Sequence, residues 1–395
     1  MAASPQAYSS SHHLEALEPT PPGAPLIHSS TRIPALDGLR GIAILLVLLC
    51  HAVFESHPDS RLLSQLLVAG RLTWSGVDLF FVLSGFLIGG ILLDAKNSPR
   101  YFQTFYIRRA FRILPLYGVV VALFLLRFVT SAGPLGAFSR SPVPWWSYVT
   151  FTQNFWMGAL GTFGVGVMAA TWSLAVEEQF YVTAPFVVRK LKTSSLIPLL
   201  VSVVLAAPLL RTALHLFFRN GNFADYVLMP CRADALCLGV LSAILVRRPK
   251  TWKFLLARRK ALSWGTGFLF AGLFAFTFER DALSTLMVTV GYSWLALFYT
   301  GVLMLAVTAQ SGLLPRVLRN RSLMQLGGIA YGTYLIHLPA MEACRRILGL
   351  AFNYSSETTQ FAGALIGVGL TLALANLSFH FFERPLLRLG QAFKY

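Results

Sequence analysis

Apolar runs of about twenty residues recur along this chain, and a helix of about that length crosses the roughly 30 Å hydrocarbon core of a bilayer. Inside a bilayer each backbone N–H and C=O must find its partner within the protein, so such runs predict α-helices. Only 12% of the 395 residues are charged while 55% are hydrophobic, and the mean hydropathy is +0.62. A soluble protein of this length needs far more charged surface. The chain therefore reads as an all-α, multi-pass protein of the cell membrane, in contact with lipid.

Ten membrane spans are expected, roughly at 40–56, 72–93, 112–130, 172–188, 196–217, 234–246, 262–278, 286–309, 323–343 and 361–382. Most of the 33 Lys and Arg then fall into five groups on one side, beginning at Lys96, Arg189, Arg247, Arg316 and Arg384. Basic residues mark cytoplasmic loops, so both termini are expected in the cytoplasm. The formal charge of +17 could suggest nucleic acid, but clustering between apolar runs points to topology and excludes that partner. Residues 143–160, with Trp145, Trp146 and Trp156, could form an eleventh span. Counting them so would put later basic groups on alternating sides, so they read as an interfacial or re-entrant element of the outer face. Residues 1–30 are rich in Ser, Pro and Ala, lack the apolar core of a cleavable signal, and read as a disordered tail before a transmembrane domain at 31–395.

Two polar groups mark the first span, Arg40 near its start and His51 eleven residues later. Eleven residues is close to three helical turns, so both lie on one face about 16 Å apart. Asp37 is placed to cap that helix. An ionisable side chain inside a span is costly and marks function by default, although a neutral imidazole can also bridge helices. Imidazole titrates near neutrality, so His51 can take and return a proton or carry a transferred group. Counted from the span ends, Asp78, Glu177 and His337 fall at a depth similar to that of His51. A buried polar site is expected there, with Asp78 or Glu177 orienting the imidazole. Ser173, Glu177 and Tyr181 recur every four residues and can face that site as a stripe, with Tyr334 near it. All of these groups could instead only bridge helices by hydrogen bonds. Ser84 lacks the GxSxG setting of a nucleophile.

At the cytoplasmic border Arg108, Arg109 and Arg112 share a helix face before Pro115, which is expected to open the third span. Forked guanidinium donors suit phosphates, but loop arginines also satisfy topology and bind lipid headgroups. Arg232 and Asp234, where the sixth span meets the outer surface, can pair with each other or bind a hydroxyl-rich acceptor. Cys50, Cys231, Cys237 and Cys344 show neither metal spacing nor a disulfide framework, so no metal is expected and the cysteines read as unpaired.

The motifs follow an ordered series: Arg40-x10-His51, Gly76-Val77-Asp78-Leu79-Phe80-Phe81, Arg108-Arg109-x2-Arg112, Thr171-Trp172-Ser173 with Glu177-Glu178-Gln179, Arg232-x-Asp234, Tyr334-Leu335-x-His337 and Glu383-x-Pro385. From about Ile33 to Leu389 the chain resembles the acyltransferase family 3 of integral membrane proteins. That resemblance implies transfer of an acyl group, usually acetyl, from acyl-CoA to a saccharide or other hydroxylated acceptor, with His51 essential. It favours the arginine cluster, with Arg40, as the site of the CoA phosphates. The pantetheine arm would thread along the first span toward His51. A transporter of an anionic metabolite or lipid-linked sugar would use similar buried charges, as would a membrane sensor with His51 as proton switch. No appended soluble domain is expected after the last span, and acceptor recognition is expected within this body or from a partner.

Overall fold

The structure, a computed structural model, describes residues 33–53, 70, 72–130, 141–218, 221–277, 282–309, 311–351 and 357–395. The expected tail at 1–30 lies outside these. Among the described residues every regular element is helical. Ten helices have 17 residues or more. They are α1 (Pro34–Val53), α2 (Gly76–Asp94), α3 (Tyr101–Thr130), α4 (Thr171–Lys190), α5 (Thr193–Phe217), α6 (Met229–Arg247), α7 (Arg259–Thr277), α8 (Tyr292–Thr308), α9 (Ala330–Ala351) and α10 (Glu357–Ser378).

Each apolar segment read from the sequence falls on one of these ten. Seven of them (α1, α2, α3, α5, α6, α8 and α10) lie in stretches long and apolar enough to cross a membrane. Three do not meet that measure: α4 carries Glu177 and Glu178, α9 carries Glu342, Arg345 and Arg346, and α7 is diluted by Gly, Ser and Thr. The chain is thus a helical membrane protein for which length and composition alone support seven spans, not ten.

Several boundaries differ from expectation. Helix α1 starts at Pro34, which suits a first-turn position because its missing N–H has no intrahelical partner there. Asp37 is consequently inside the first turn and not its cap; its carboxylate lies 3.3 Å from Arg40. Pro115 sits inside α3 and does not open it, so the arginines before it belong to the same continuous helix. The segment expected at 323–343 breaks at Ile329 into a short helix, Arg321–Gly328, and α9. Residues 143–160 form two helices of five and eight residues, too short to span, with Trp145, Trp146 and Trp156 exposed.

Helices α2 and α6 form the centre: 72% of the apolar window of each is buried, against 17% for α5 at the periphery. They approach closely because Gly85 faces the Leu236 carbonyl and Gly239 faces the Val82 carbonyl, where any Cβ would clash. Small residues at such crossings permit close backbone packing in membranes. Glycines act likewise where α1 meets the short helices Leu313–Leu318 and Arg321–Gly328: Gly38 lies against the Leu318 carbonyl, Gly41 against that of Leu323, and Gly327 against that of Asp37.

Two ion pairs lock this centre. Arg232 of α6 reaches Asp78 of α2 at 2.6 Å, both fully enclosed, and its guanidinium lies 4.2 Å from the Tyr292 ring centroid. Arg211 of α5 reaches Asp234 of α6 at 3.0 Å. It also donates to the Val288 carbonyl in a π-helical turn before α8. Arg232 and Asp234 therefore pair with other helices and not with each other. Asp78→Ala, which strips Arg232 of its counter-charge, is expected to destabilise the fold by about 3–5 kcal/mol. Thermal unfolding in detergent checks this, and an Asp78→Leu/Arg232→Met double variant should recover most of the loss.

Candidate active site

A cavity with about 900 Å³ of empty space, its mouth included, opens among α1, α2, α3, α4, α9 and the C-terminal end of the Arg321–Gly328 helix. Arg40, Arg109 and Arg112 line it together with Ser84, Ser173, Glu177, Tyr181 and Tyr334. The register of α4 sets its long axis: Ser173 and Tyr181 are eight residues apart, about 12 Å along a helix. At the Tyr181 end the Arg109 guanidinium stands 5.9 Å from the Tyr181 ring centroid and 5.8 Å from that of Phe105. At the other end the Ser173 and Tyr334 hydroxyls lie 2.5 Å apart, and both lie within hydrogen-bonding distance of the Ala170 carbonyl. Between them Glu177 accepts from Ser84 at 2.8 Å and from Tyr181 at 3.0 Å.

The arginines of this cavity differ in kind from those of the core. Among the described residues Arg109 and Arg112 have no carboxylate partner, and the buried Nε of Arg109 makes no hydrogen bond. Three guanidiniums lining one cavity, two of them without a direct ion pair, can hold an anion with several acceptor oxygens. Arg108 does not take part. Its side chain turns to the C-terminal segment, donating to the Phe393 carbonyl at 2.8 Å and lying over the Tyr395 ring. Adjacent residues on a helix point about 100° apart, so Arg108 and Arg109 could not both enter the cavity.

His51 lies beyond the hydroxyl end and does not line the cavity itself. Its half-buried ring stands 4.8 Å from that of His337, which in turn lies 5.5 Å from that of Tyr334. The His51 Nδ1 is 3.0 Å from the Val47 carbonyl. A carbonyl can only accept, so Nδ1 carries the hydrogen and Nε2 of the neutral ring keeps its lone pair. That is the protonation pattern of a general base.

Neither carboxylate expected to orient His51 contacts it. Asp78 pairs with Arg232, and Glu177 holds Ser84 and Tyr181. In a low-dielectric interior a carboxylate is held by the nearest cation or donor, and each found one on another helix. A second polar group escaped sequence reading: His215 bridges Asp225 and Thr285 at 3.0 Å on either side. Its residues are far apart in sequence, and no local motif announces them. None of the four cysteines is in a disulfide, and the described residues hold no group of three or more His, Cys, Asp or Glu placed to bind a metal.

A family model described as an acyltransferase domain, Acyl_transf_3, matches residues 33–379. The peptidoglycan O-acetyltransferase OatA of Listeria monocytogenes is 27% identical over 380 residues, covering 92% of this chain and 57% of that protein. The O-acetyltransferase OatA of Staphylococcus aureus is 26% identical over 382 residues, covering 92% and 58% respectively. The chain thus spans just over half the length of these relatives. No solved structure matches it.

Charge-assisted hydrogen bonds are each worth about 1.5–3 kcal/mol. Arg109→Ala and Arg112→Ala should therefore each weaken binding of 3′-phosphoadenosine 5′-diphosphate to the purified protein by about 10- to 100-fold. Arg108→Ala should leave that affinity unchanged. Isothermal titration calorimetry separates the cases, and equal losses at all three positions would contradict the assignment.

Proposed function

The chain belongs to the acyltransferase family 3, whose domain model covers nearly all of it, and on that premise we propose that it transfers an acetyl group from acetyl-CoA to a saccharide hydroxyl. The acceptor is reached from the outer side of the membrane, and the relatives' names make a peptidoglycan sugar the first candidate. All ten long helices cross the bilayer in this reading, with both termini in the cytoplasm, as the side taken by the basic clusters supports. The observation that carries the proposal is the cavity, with arginines that make no direct ion pair at one end and an imidazole whose Nε2 holds the lone pair lying just beyond the other.

The donor's phosphates lie on Arg40, Arg109 and Arg112, and the pantetheine arm runs along α4 toward Ser173 and Tyr334. His51 Nε2 takes the proton of the acceptor hydroxyl as its oxygen attacks the thioester carbonyl. The new C–O bond forms, the C–S bond breaks, and the proton passes from His51 to the departing thiolate, giving the ester and CoA thiol. Glu177, held by Ser84 and Tyr181, shapes the middle of the passage. The transporter reading gains nothing from relatives named as acetyltransferases.

Labelled acetyl-CoA supplied to the cytoplasmic face of vesicles should label a saccharide fraction identifiable by mass spectrometry. Removal of a general base costs about 100- to 10,000-fold in rate, and His51→Ala should fall in that range while folding normally. Labelling that persists undiminished in His51→Ala, or no acyl transfer from any acyl-CoA, would refute the proposal.

A further inference from the structure

His337 does not line the cavity itself; its ring lies 5.5 Å from that of Tyr334, which does, and 4.8 Å from that of His51. It has no exposed surface. Its Nδ1 lies 2.6 Å from the Tyr334 carbonyl, one turn back on α9. Because that carbonyl can only accept, Nδ1 carries the hydrogen and Nε2 is a bare lone pair. This Nε2 is fully enclosed and has no hydrogen-bond partner among the described residues. Buried acceptors are nearly always paired, so an orphan of this kind calls for an explanation.

The explanation lies in its neighbour. His51 stands 4.8 Å away, edge to face at 66°, and its own Nδ1–H is likewise tied to a backbone carbonyl. In the resting state each ring presents only a lone pair at Nε2, and neither can donate to the other. One event in the reaction creates the missing donor: capture of the acceptor proton by His51, which turns its Nε2 into an N–H and its ring into a cation. Among the described residues no ion pair joins a carboxylate to the His51 ring to stabilise that cation.

We propose that His337 is a positioning residue for the proton step, its Nε2 acting as the hydrogen-bond acceptor for the protonated form of His51. His337 stays neutral throughout, neither gaining nor losing a proton. The hydrogen bond forms as the hydroxyl proton reaches His51 and is lost when that proton leaves with the CoA thiolate. An interaction made only while charge has developed lowers the barrier without tightening substrate binding. The resting-state orphan is therefore a group whose partner arrives with the transition state.

This inference rests on His51 as the base, and the test separates the two. Full-length chain in vesicles is given labelled acetyl-CoA, and kcat and KM for acetyl-CoA are read from label entering the saccharide fraction. His337→Phe keeps the ring's bulk and removes the lone pair; kcat should fall about 10- to 100-fold with KM unchanged, the range of one charge-assisted hydrogen bond. His337→Gln, whose side-chain oxygen can reach the Nε2 position, should recover most of that loss. If His337→Phe does not reach the membrane folded, His337→Leu replaces it in the comparison with Gln. In a His51→Ala background, His337→Phe should have no further effect. Wild-type kcat in His337→Phe, a change confined to KM, or Gln as damaged as Phe would each overturn the inference while leaving His51 in place. Activity retained by His51→Ala would instead remove the base reading itself.

Discussion

A guanidinium can be kept within the thickness of a bilayer only where something faces it, and this molecule treats its arginines in two ways. Arg232 and Arg211 are sealed against Asp78 and Asp234. These two pairs tie α2, α5 and α6 together, and the Val288 carbonyl and Ser293 hydroxyl bring in the approach to α8 and α8 itself. Breaking either pair would leave a buried charge exposed to hydrocarbon, so the pairs define the arrangement of the central helices. Arg109 and Arg112 make no direct ion pair among the described residues and face a cavity that Glu177 also lines. The difference between an arginine in a direct ion pair and one without separates scaffold from site more sharply than burial does.

The scaffold acts as a ruler. Arg40 and His51 are separated by about three turns of α1, and the Tyr181 and Ser173 ends of the cavity by about two turns of α4. Arg40 of α1 and Arg109 of α3, beside Tyr181, mark one end, and the Ser173 and Tyr334 hydroxyls, with His51 beyond them, mark the other. Close glycine contacts hold α1 on the Arg321–Gly328 helix and α2 on α6, so that spacing is fixed by backbone approach and not by flexible side chains. A ligand with phosphates at one end and a reactive carbonyl at the other fits such a frame, provided the intervening arm is thin.

What could be read from the sequence was whatever a single helix determines. The apolar segments, the shared face of Arg40 and His51, and the Ser173, Glu177 and Tyr181 stripe follow from a period of 3.6, and all three stripe residues line the cavity. Partners chosen across helices could not be read. Asp78 finds Arg232 from 154 residues away, which depth alone mistook for a partnership with His51. Arg108 and Arg109 look equivalent as letters and diverge because neighbouring positions on α3 face different surroundings. The break at Ile329 and the π turns at Met287–Gly291 and Phe379–Glu383 leave no periodic signature, since each is settled by what packs against the helix.

Chemical trapping reports directly on whether the cavity joins an anion-binding end to a reacting end. A Ser173→Cys variant in a Cys50→Ser background would be exposed to the 2-pyridyl disulfide of CoA and weighed intact by mass spectrometry. The CoA thiol should be captured at residue 173, and combined Arg109→Ala and Arg112→Ala substitutions should abolish the capture. Absence of the adduct with the arginines in place, or an equal yield without them, would contradict the two-ended cavity on which everything else depends.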